Sequence, residues 1–323
     1  MSIQQVNINN ILIDNSWFSL KKYLFESSEA QSFLVNSFDK SGILYPVVLY
    51  KDNKGLLHLI DGRKRLQYAQ QNNIQKINAT ILPEATPIAD IIILILCNLR
   101  NYIESSVINK VQFICFAKSL NIPESWLLET LCVPLGLKPD AEFLSVCKRI
   151  YNLPEKIRIF CHEKKYSLKQ LINLTYHSDN LLEQLAEWKS ILHLTASTLD
   201  EIAVNLRDYL KAENRNMEDF LKEPDLLEIL DSSLSPRDKT DKLRQLLYLK
   251  RFPTLSNVND KICDTIEKLN LPDQIIIKWD NTLENKNVDL NIHLNDPKKW
   301  NRLLDTLNSK EIKDALGSIL NEL

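Results

Sequence analysis

Residues 57–69 take the chain from a short apolar strand into a basic helix through one Asp61-Gly62 turn, and few folds accommodate that step. Leu57, Leu59 and Ile60 form the strand side; Arg63, Lys64 and Arg65 follow as three consecutive cations, and Leu66, Ala69 and Gln70 continue at helical spacing. Glycine permits a tight strand-to-helix turn. The free N–H groups of a helix start, flanked by positive side chains, favour an anion, and phosphate is the one most often held this way. On these residues alone the other reading, a turn followed by a solvated basic helix face, stays open.

The flanks define a small α+β unit over residues 1–85. Ile3, Val6, Ile8, Ile11 and Ile13 recur without a helical period and predict an extended opening strand. Ala30, Phe33, Leu34 and Phe38 predict a helix over residues 28–38, stopped at Ser41-Gly42. Residues 44–50 read as a strand, 52–55 as its turn and 56–60 as its hairpin partner, with a further strand at 77–82.

At Thr86-Pro87 the pattern changes from strand to helix, with threonine as N-cap, proline at the first helical position and Asp90 in the first turn. Residues 86–211 then read as all-α. Two helices at 124–133 and 139–151 around Pro134-Leu135-Gly136 match a helix-turn-helix layout, although most such pairs in helical domains simply pack. Residues 138–169 hold eight Lys/Arg against four Asp/Glu, a surface suited to a phosphate backbone. Lys138, Ser145, Lys148 and Arg149 are its candidate DNA contacts. Asp140 and Glu142, expected in the first turn of the second helix, suit the helix dipole and repel phosphate.

Polar residues 212–240 read as a linker with room for one short helix. Residues 241–323 form a small α+β C-terminal unit with one β-hairpin, 275–279 and 288–294, in which Val288, Leu290, Ile292 and Leu294 point inward. Asp296-Pro297 is expected to cap a helix over 298–307. So small a unit calls for docking on the middle domain or for pairing with a second copy as a homodimer.

The function classes narrow from composition. At 323 residues the chain exceeds one small core, and a net charge of -2 confines any nucleic-acid contact to local basic patches. Six isolated cysteines, mostly within apolar segments, read as reduced core residues of a cytoplasmic protein. No signal-peptide layout opens the sequence, and its most apolar run, 91–97, is too short to span a bilayer, so no membrane association is expected. His58, His162, His177, His193 and His293 form no metal-spaced pair and read as structural. Asp61 and Glu84 are conceivable acid-base groups near the turn, with Asp61 read first as an acceptor for turn amides. No Walker, Rossmann or Gly-x-Ser-x-Gly pattern occurs.

Taken in order, Gly42-Ile-Leu-Tyr-Pro46-Val-Val, Leu-Ile-Asp-Gly62-Arg-Lys-Arg65-Leu-x-x-Ala69 and Ile77-Asn-Ala-Thr-Ile resemble the N-terminal domain of the ParB partition proteins, which shares its fold with sulfiredoxin. Asn98-Leu99-Arg100 is similar to that family's Glu-Asn-x-x-Arg motif, and the segment from Arg149 to Glu155 to the Arg-Leu-Leu-x-Leu-Pro stretch closing its helix-turn-helix. The resemblance covers roughly residues 1–175. It implies CTP or another nucleotide with magnesium as cofactor, double-stranded DNA and a partition ATPase as partners, and a nucleoid-associated location.

Carried over by position, Gly62 and Arg65 are kept, Lys64 replaces an arginine, and Arg63 stands where the family has glutamate. Asn98 is kept; the motif's glutamate is Cys97, and its arginine falls on Asn101 with Arg100 beside it. The implied phosphate site is therefore Gly62, Arg63, Lys64, Arg65, Asn98 and Arg100. Losing a carboxylate ligand for magnesium lowers the expectation of CTPase-like hydrolysis. Sulfiredoxin's catalytic cysteine has no counterpart, since Arg63 and Lys64 occupy its turn. The other reading is an enzyme of the same fold, a nucleotidase, kinase or nuclease, acting on a nucleotide or phosphorylated substrate.

Overall fold

The computed structural model describes residues 3–20, 24, 25, 38–294, 296 and 300–323. The chain divides into two compact units, Met1–Ser190 with Leu194–Ala203, and Ile191–His193 with Val204–Leu323.

The first unit opens with a five-stranded mixed sheet in the order β1-β5-β3-β4-β2, built from β1 (Ile3–Asn7), β2 (Ile11–Leu12), β3 (Val47–Lys51), β4 (Leu57–Asp61) and β5 (Lys76–Leu82). The expected opening strand is interrupted. Asn7 Oδ1 accepts the Asn9 amide at 3.0 Å and starts a 3-10 turn, Ile8–Asn10, so that β1 pairs antiparallel with β5 and β2 parallel with β4. The helix expected over 28–38 lies outside the described residues except for Phe38, whose carbonyl accepts the Gly42 amide at 2.8 Å. β3 starts later than the sequence suggests because Pro46 has no N–H to give a ladder, leaving Leu44 and Tyr45 exposed.

β3 and β4 form the expected antiparallel hairpin. Asp52, nearly fully buried, organises its turn by accepting the Lys54 and Leu56 amides at 2.9 and 2.8 Å and pairing with His58 Nε2 at 3.1 Å. The Trp17 amide donates to His58 Nδ1, which leaves Nε2 as the donor toward Asp52. Burial pushes the Asp52 pKa up, but the His58 and amide hydrogen bonds outweigh it and leave the carboxyl below its ordinary value. Helix α1 (Arg63–Gln71) follows β4 and lays Leu66 and Ala69 on the sheet, sharing a core with Val47, Leu49, Leu59 and Ile77.

The rest of this unit is helical, as the period predicts. α2 spans Ile88–Ile103 with Pro87, not Thr86, at its N-cap, and α3 spans Val107–Ser119 with Ser106 as cap. One α turn, Glu124–Trp126, runs into a π-helical segment, Leu127–Leu131. After it come α4 (Phe143–Tyr151), α5 (Glu155–Glu163), α6 (Leu168–Leu174) and α7 (Asp179–Glu187), then α8 (Ala196–Ala212), of which residues through Ala203 belong to this unit and the rest to the second. The second helix of the expected pair begins at Phe143 rather than Pro139. Asp140 halts it, accepting the Glu142 amide on Oδ1 at 3.1 Å and the Phe143 amide on its carbonyl at 3.2 Å. Asp140 and Glu142 thus precede the helix, and residues 132–142 make a far wider connection than the three or four residues of a standard helix-turn-helix turn.

In the second unit, residues 212–240 carry α9 (Met217–Phe220), α10 (Pro224–Asp231) and the start of α11 (Pro236–Arg251), where composition suggested a linker. Buried Glu223 ties the stretch down: Oε1 accepts Tyr209 Oη at 2.7 Å and Arg215 Nη1 at 2.9 Å, and Lys250 Nζ lies 2.8 Å from Oε2. Helix α12 (Pro253–Lys268), the antiparallel strands β6 (Ile275–Trp279) and β7 (Val288–Ile292), α13 (Trp300–Leu307) and α14 (Lys310–Glu322) complete the unit. Leu290 and Leu294 are exposed, not inward: cover on that face reaches Ile275 and Ile277 of β6 but not Leu290 opposite, and Leu294 lies beyond the end of β7. Pro297 of the expected Asp296-Pro297 cap lies outside the described residues. Among the described residues no helix is long and apolar enough to cross a membrane.

Candidate functional site

Gly62 is the pivot of the strand-to-helix step. Its φ of +106° is open to glycine and strained for other residues, and a Cβ there would meet Val47 Cγ1 at 2.7 Å. This tight packing places the start of α1 directly at the end of β4. The first intrahelical bond runs from the Leu66 amide to the Gly62 carbonyl at 2.9 Å, so the Arg63, Lys64 and Arg65 amides lie before it. No side chain caps this end and no acidic residue occupies its first turn. A helix start so arranged presents amide donors and a positive dipole end to an anion.

Around it lies a cleft of about 480 Å³ lined by Gly62, Arg63, Lys64, Arg65 and Asn98 together with Asp61, Phe38, Tyr45, Pro46 and Val48. Five of the six residues expected at the phosphate site therefore come together. Arg100 does not join them: it is exposed on α2 and its Nε donates to Glu104 Oε1 at 3.0 Å, one helical turn away.

The two arginines of this turn differ in their partners. Arg65 is largely buried and staples the hairpin entrance, donating from Nη1 to the Tyr45 and Pro46 carbonyls and from Nη2 to Asp61 Oδ2 at 2.7 Å. That pairing engages Asp61 with a guanidinium, where turn amides were expected as its donors. Arg63 reaches Asp14 Oδ1 at 2.7 Å. Phe38 and Tyr45, the apolar wall, were not singled out in the sequence; Tyr45 stands next to Pro46 in the Gly42–Pro46 stretch, which was the available signal.

The second candidate surface is the outer face of α4. Phe143, Leu144, Cys147 and Ile150 are buried, and the opposite face exposes Ser145, Lys148 and Arg149, three of the four expected DNA contacts. Lys148 and Arg149 also complement the C-terminal end of the helix dipole. Helix α4 packs on α3 and on α6. A groove of about 500 Å³ runs beside it, lined by Ser145, Lys148 and Arg149 together with Lys118, Glu124 and Asn152, which the sequence pattern did not mark. Lys118 pairs with Glu124 at 2.7 Å. Lys138 is exposed in the preceding segment and does not line the groove.

Other members of the 138–169 cation excess are engaged internally. Lys156 pairs with Glu187 at 2.8 Å, and Lys165 Nζ donates to the Ser105 carbonyl at 2.8 Å. The remaining sequence candidates fall into structural places. His162 is buried, with Nδ1 2.8 Å from Ser106 Oγ, and burial together with Lys165 lowers its pKa. Cys132, Cys147 and Cys161 are buried, and burial pushes the thiols up, Cys132 to about 11. Cys97 and Cys263 are exposed, against the expectation of core positions. Among the described residues no group of three or more His, Cys, Asp or Glu side chains is placed to hold a metal ion.

No family model matches this sequence, and no curated protein does. Among solved structures, the chain is similar to a C-terminally truncated chromosome-partitioning protein ParB from Caulobacter crescentus complexed with CTP-gamma-S, at 14% identity and a TM-score of 0.25, over 57% of this chain and 98% of that one. The same bacterium's truncated ParB complexed to the centromeric parS site matches at 14% identity and a TM-score of 0.32, over 62% of this chain and 98% of that one. At these TM-scores the likeness settles neither family nor activity.

Proposed function

We propose that this chain is a ParB-like DNA-binding protein serving partition, nucleoid organisation or transcription, with α4 as its DNA-contacting helix. The observation that carries this reading is the division of labour on α4: Phe143, Leu144, Cys147 and Ile150 are buried, and the other face shows Ser145, Lys148 and Arg149 to a groove that Leu144 also lines. Cations on such a face gain from neutralising phosphate and releasing its counterions. Replacing Lys148 and Arg149 together by alanine is expected to weaken binding to duplex DNA and, at two phosphate contacts, to reduce the steepness of log affinity against log salt by about 1.8. Affinity unchanged at low salt would refute it.

The cleft at Gly62 supports a second role, holding the phosphates of a nucleotide. Its size, its uncapped helix start and the aromatic wall of Phe38 and Tyr45 suit a nucleotide. The glycine that admits no Cβ, the α1 amides, Arg63 and Lys64 fit the phosphates of CTP or a related nucleotide. Magnesium fits less well, because exposed Cys97 stands where the family resemblance expects a carboxylate, and a thiol is a poor ligand for so hard a cation. Binding without hydrolysis follows, and a nucleotidase, kinase or nuclease is the weaker alternative. Thermal-shift titration with CTP and ATP, with and without magnesium, is expected to show stabilisation that does not require the metal. Dimerisation through the second unit and contact with a partition ATPase belong to the same reading.

A further inference from the structure

The arginines of the first unit differ in how their guanidinium groups are held, and Arg149, like Arg158, is set against an aromatic ring. Arg65 is fixed through its N–H groups, which go to two carbonyls and a carboxylate. Arg149 is instead set against a ring: its Cζ lies over Tyr176, 5.6 Å from the ring centre. Such a contact works through the charge of the guanidinium and not through an acceptor for its N–H groups, so those donors stay open to another partner.

Tyr176 itself has no burial to explain it, being 59% exposed. It sits in the turn closing α6, with its amide donating to the Asn173 carbonyl at 3.1 Å, and α6 packs on α4. The ring and the arginine are therefore carried by two helices packed on each other. Arg149 in turn lines the groove beside α4.

We propose that Tyr176 is a positioning residue for Arg149, a shelf that holds the guanidinium ready for the sugar-phosphate backbone of duplex DNA. This rests on the DNA-binding reading of α4. An unsupported arginine samples many rotamers and loses that freedom on contact, whereas a shelved one has lost part of it beforehand. Tyr151 and Arg158 make a similar stack at 5.6 Å, but neither lines the groove, which makes that pair an internal comparison.

The test is the affinity of the full chain for a short labelled duplex of mixed sequence at low salt, measured by fluorescence anisotropy. Arg149→Ala comes first: if it leaves affinity unchanged, the shelf falls, and Lys148→Ala with Arg149→Ala then decides whether the DNA reading falls with it. If it weakens binding, Tyr176→Ala is expected to weaken binding about two- to fivefold, the worth of an exposed cation–π contact. Tyr176→Phe should restore wild-type affinity, and Arg149→Ala with Tyr176→Ala should bind no more weakly than Arg149→Ala alone. Tyr176→Leu, which keeps bulk and lacks a π face, should behave as the alanine variant does, with thermal stability matched to wild type. Tyr151→Ala should leave affinity unchanged. Additive losses in the double variant, wild-type affinity in Tyr176→Ala, or an equal loss in Tyr151→Ala overturns the shelf while leaving the DNA reading standing.

Discussion

The Gly62 turn and the outer face of α4 are both basic, yet they are built by opposite means. At Gly62 the backbone makes the site: a left-handed glycine pressed against Val47, an uncapped helix start, and Arg65 tied into the hairpin that presents it. On α4 the side chains make the surface, and the backbone beneath would be the same helix without them. The first kind of site is preorganised and coupled to folding. The second is an electrostatic face whose strength follows ionic strength and whose residues can change with little cost to the fold.

That contrast can be broken by stability measurements. The largest loss is expected from Gly62→Ala, where a strained φ and a clash with Val47 together cost about 2–5 kcal/mol in the unfolding of the first unit, read by urea denaturation. A value near zero would mean that the turn is not preorganised at all. Arg65→Lys should cost about 1–3 kcal/mol, because an ammonium cannot serve two carbonyls and Asp61 from one plane.

Acidification sharpens the comparison further. The Asp52 carboxyl has a folded pKa below its ordinary 3.8, so its contribution is complete above that value and is lost as pH falls through the lower folded pKa. Amide exchange in the β3–β4 hairpin should accelerate in that acid range while α4 keeps its protection, and equal acceleration in both would remove the distinction. The smallest effect belongs to Lys148→Ala with Arg149→Ala, within about 0.5 kcal/mol of wild type by the same denaturation. A larger destabilisation would show that α4's outer face has a structural duty.

What the sequence made legible follows the range of the forces involved. The hairpin, the Gly62 step, α1 and the helical period after residue 86 depend on neighbours within a few residues, and their patterns survive in the order of residues. The start of α4 was misplaced because Asp140 acts through its side chain on an amide two residues on, which favours a local turn over a helix. The order within 212–240 was hidden because Glu223 depends on Lys250, far along the chain. Alternation in residues 288–294 carries no information about how far cover extends across a face: Ile275 and Ile277 of β6 are buried, and Leu290, opposite Ile277, is exposed. At the candidate sites, spacing brought Gly62 and its cations together and set Ser145, Lys148 and Arg149 on one face. It failed for Arg100, whose helical neighbour Glu104 claims it, and it gave no sign that Arg65 would face the Tyr45 and Pro46 carbonyls.

The strand order has one more consequence. β1 and β2 occupy the two opposite edges of the five-stranded sheet, and only the 3-10 turn Ile8–Asn10 separates them in the chain. So short a connection reaches at most about 14 Å, whereas the outer strands of a flat five-stranded sheet would stand about 19 Å apart. The sheet must therefore curl toward closure, and residues 3–12 act as a clasp across its seam. Deleting that clasp would replace the short edges β1 and β2 by the bare edges of β5 and β4, two longer flanks open to strand-to-strand aggregation.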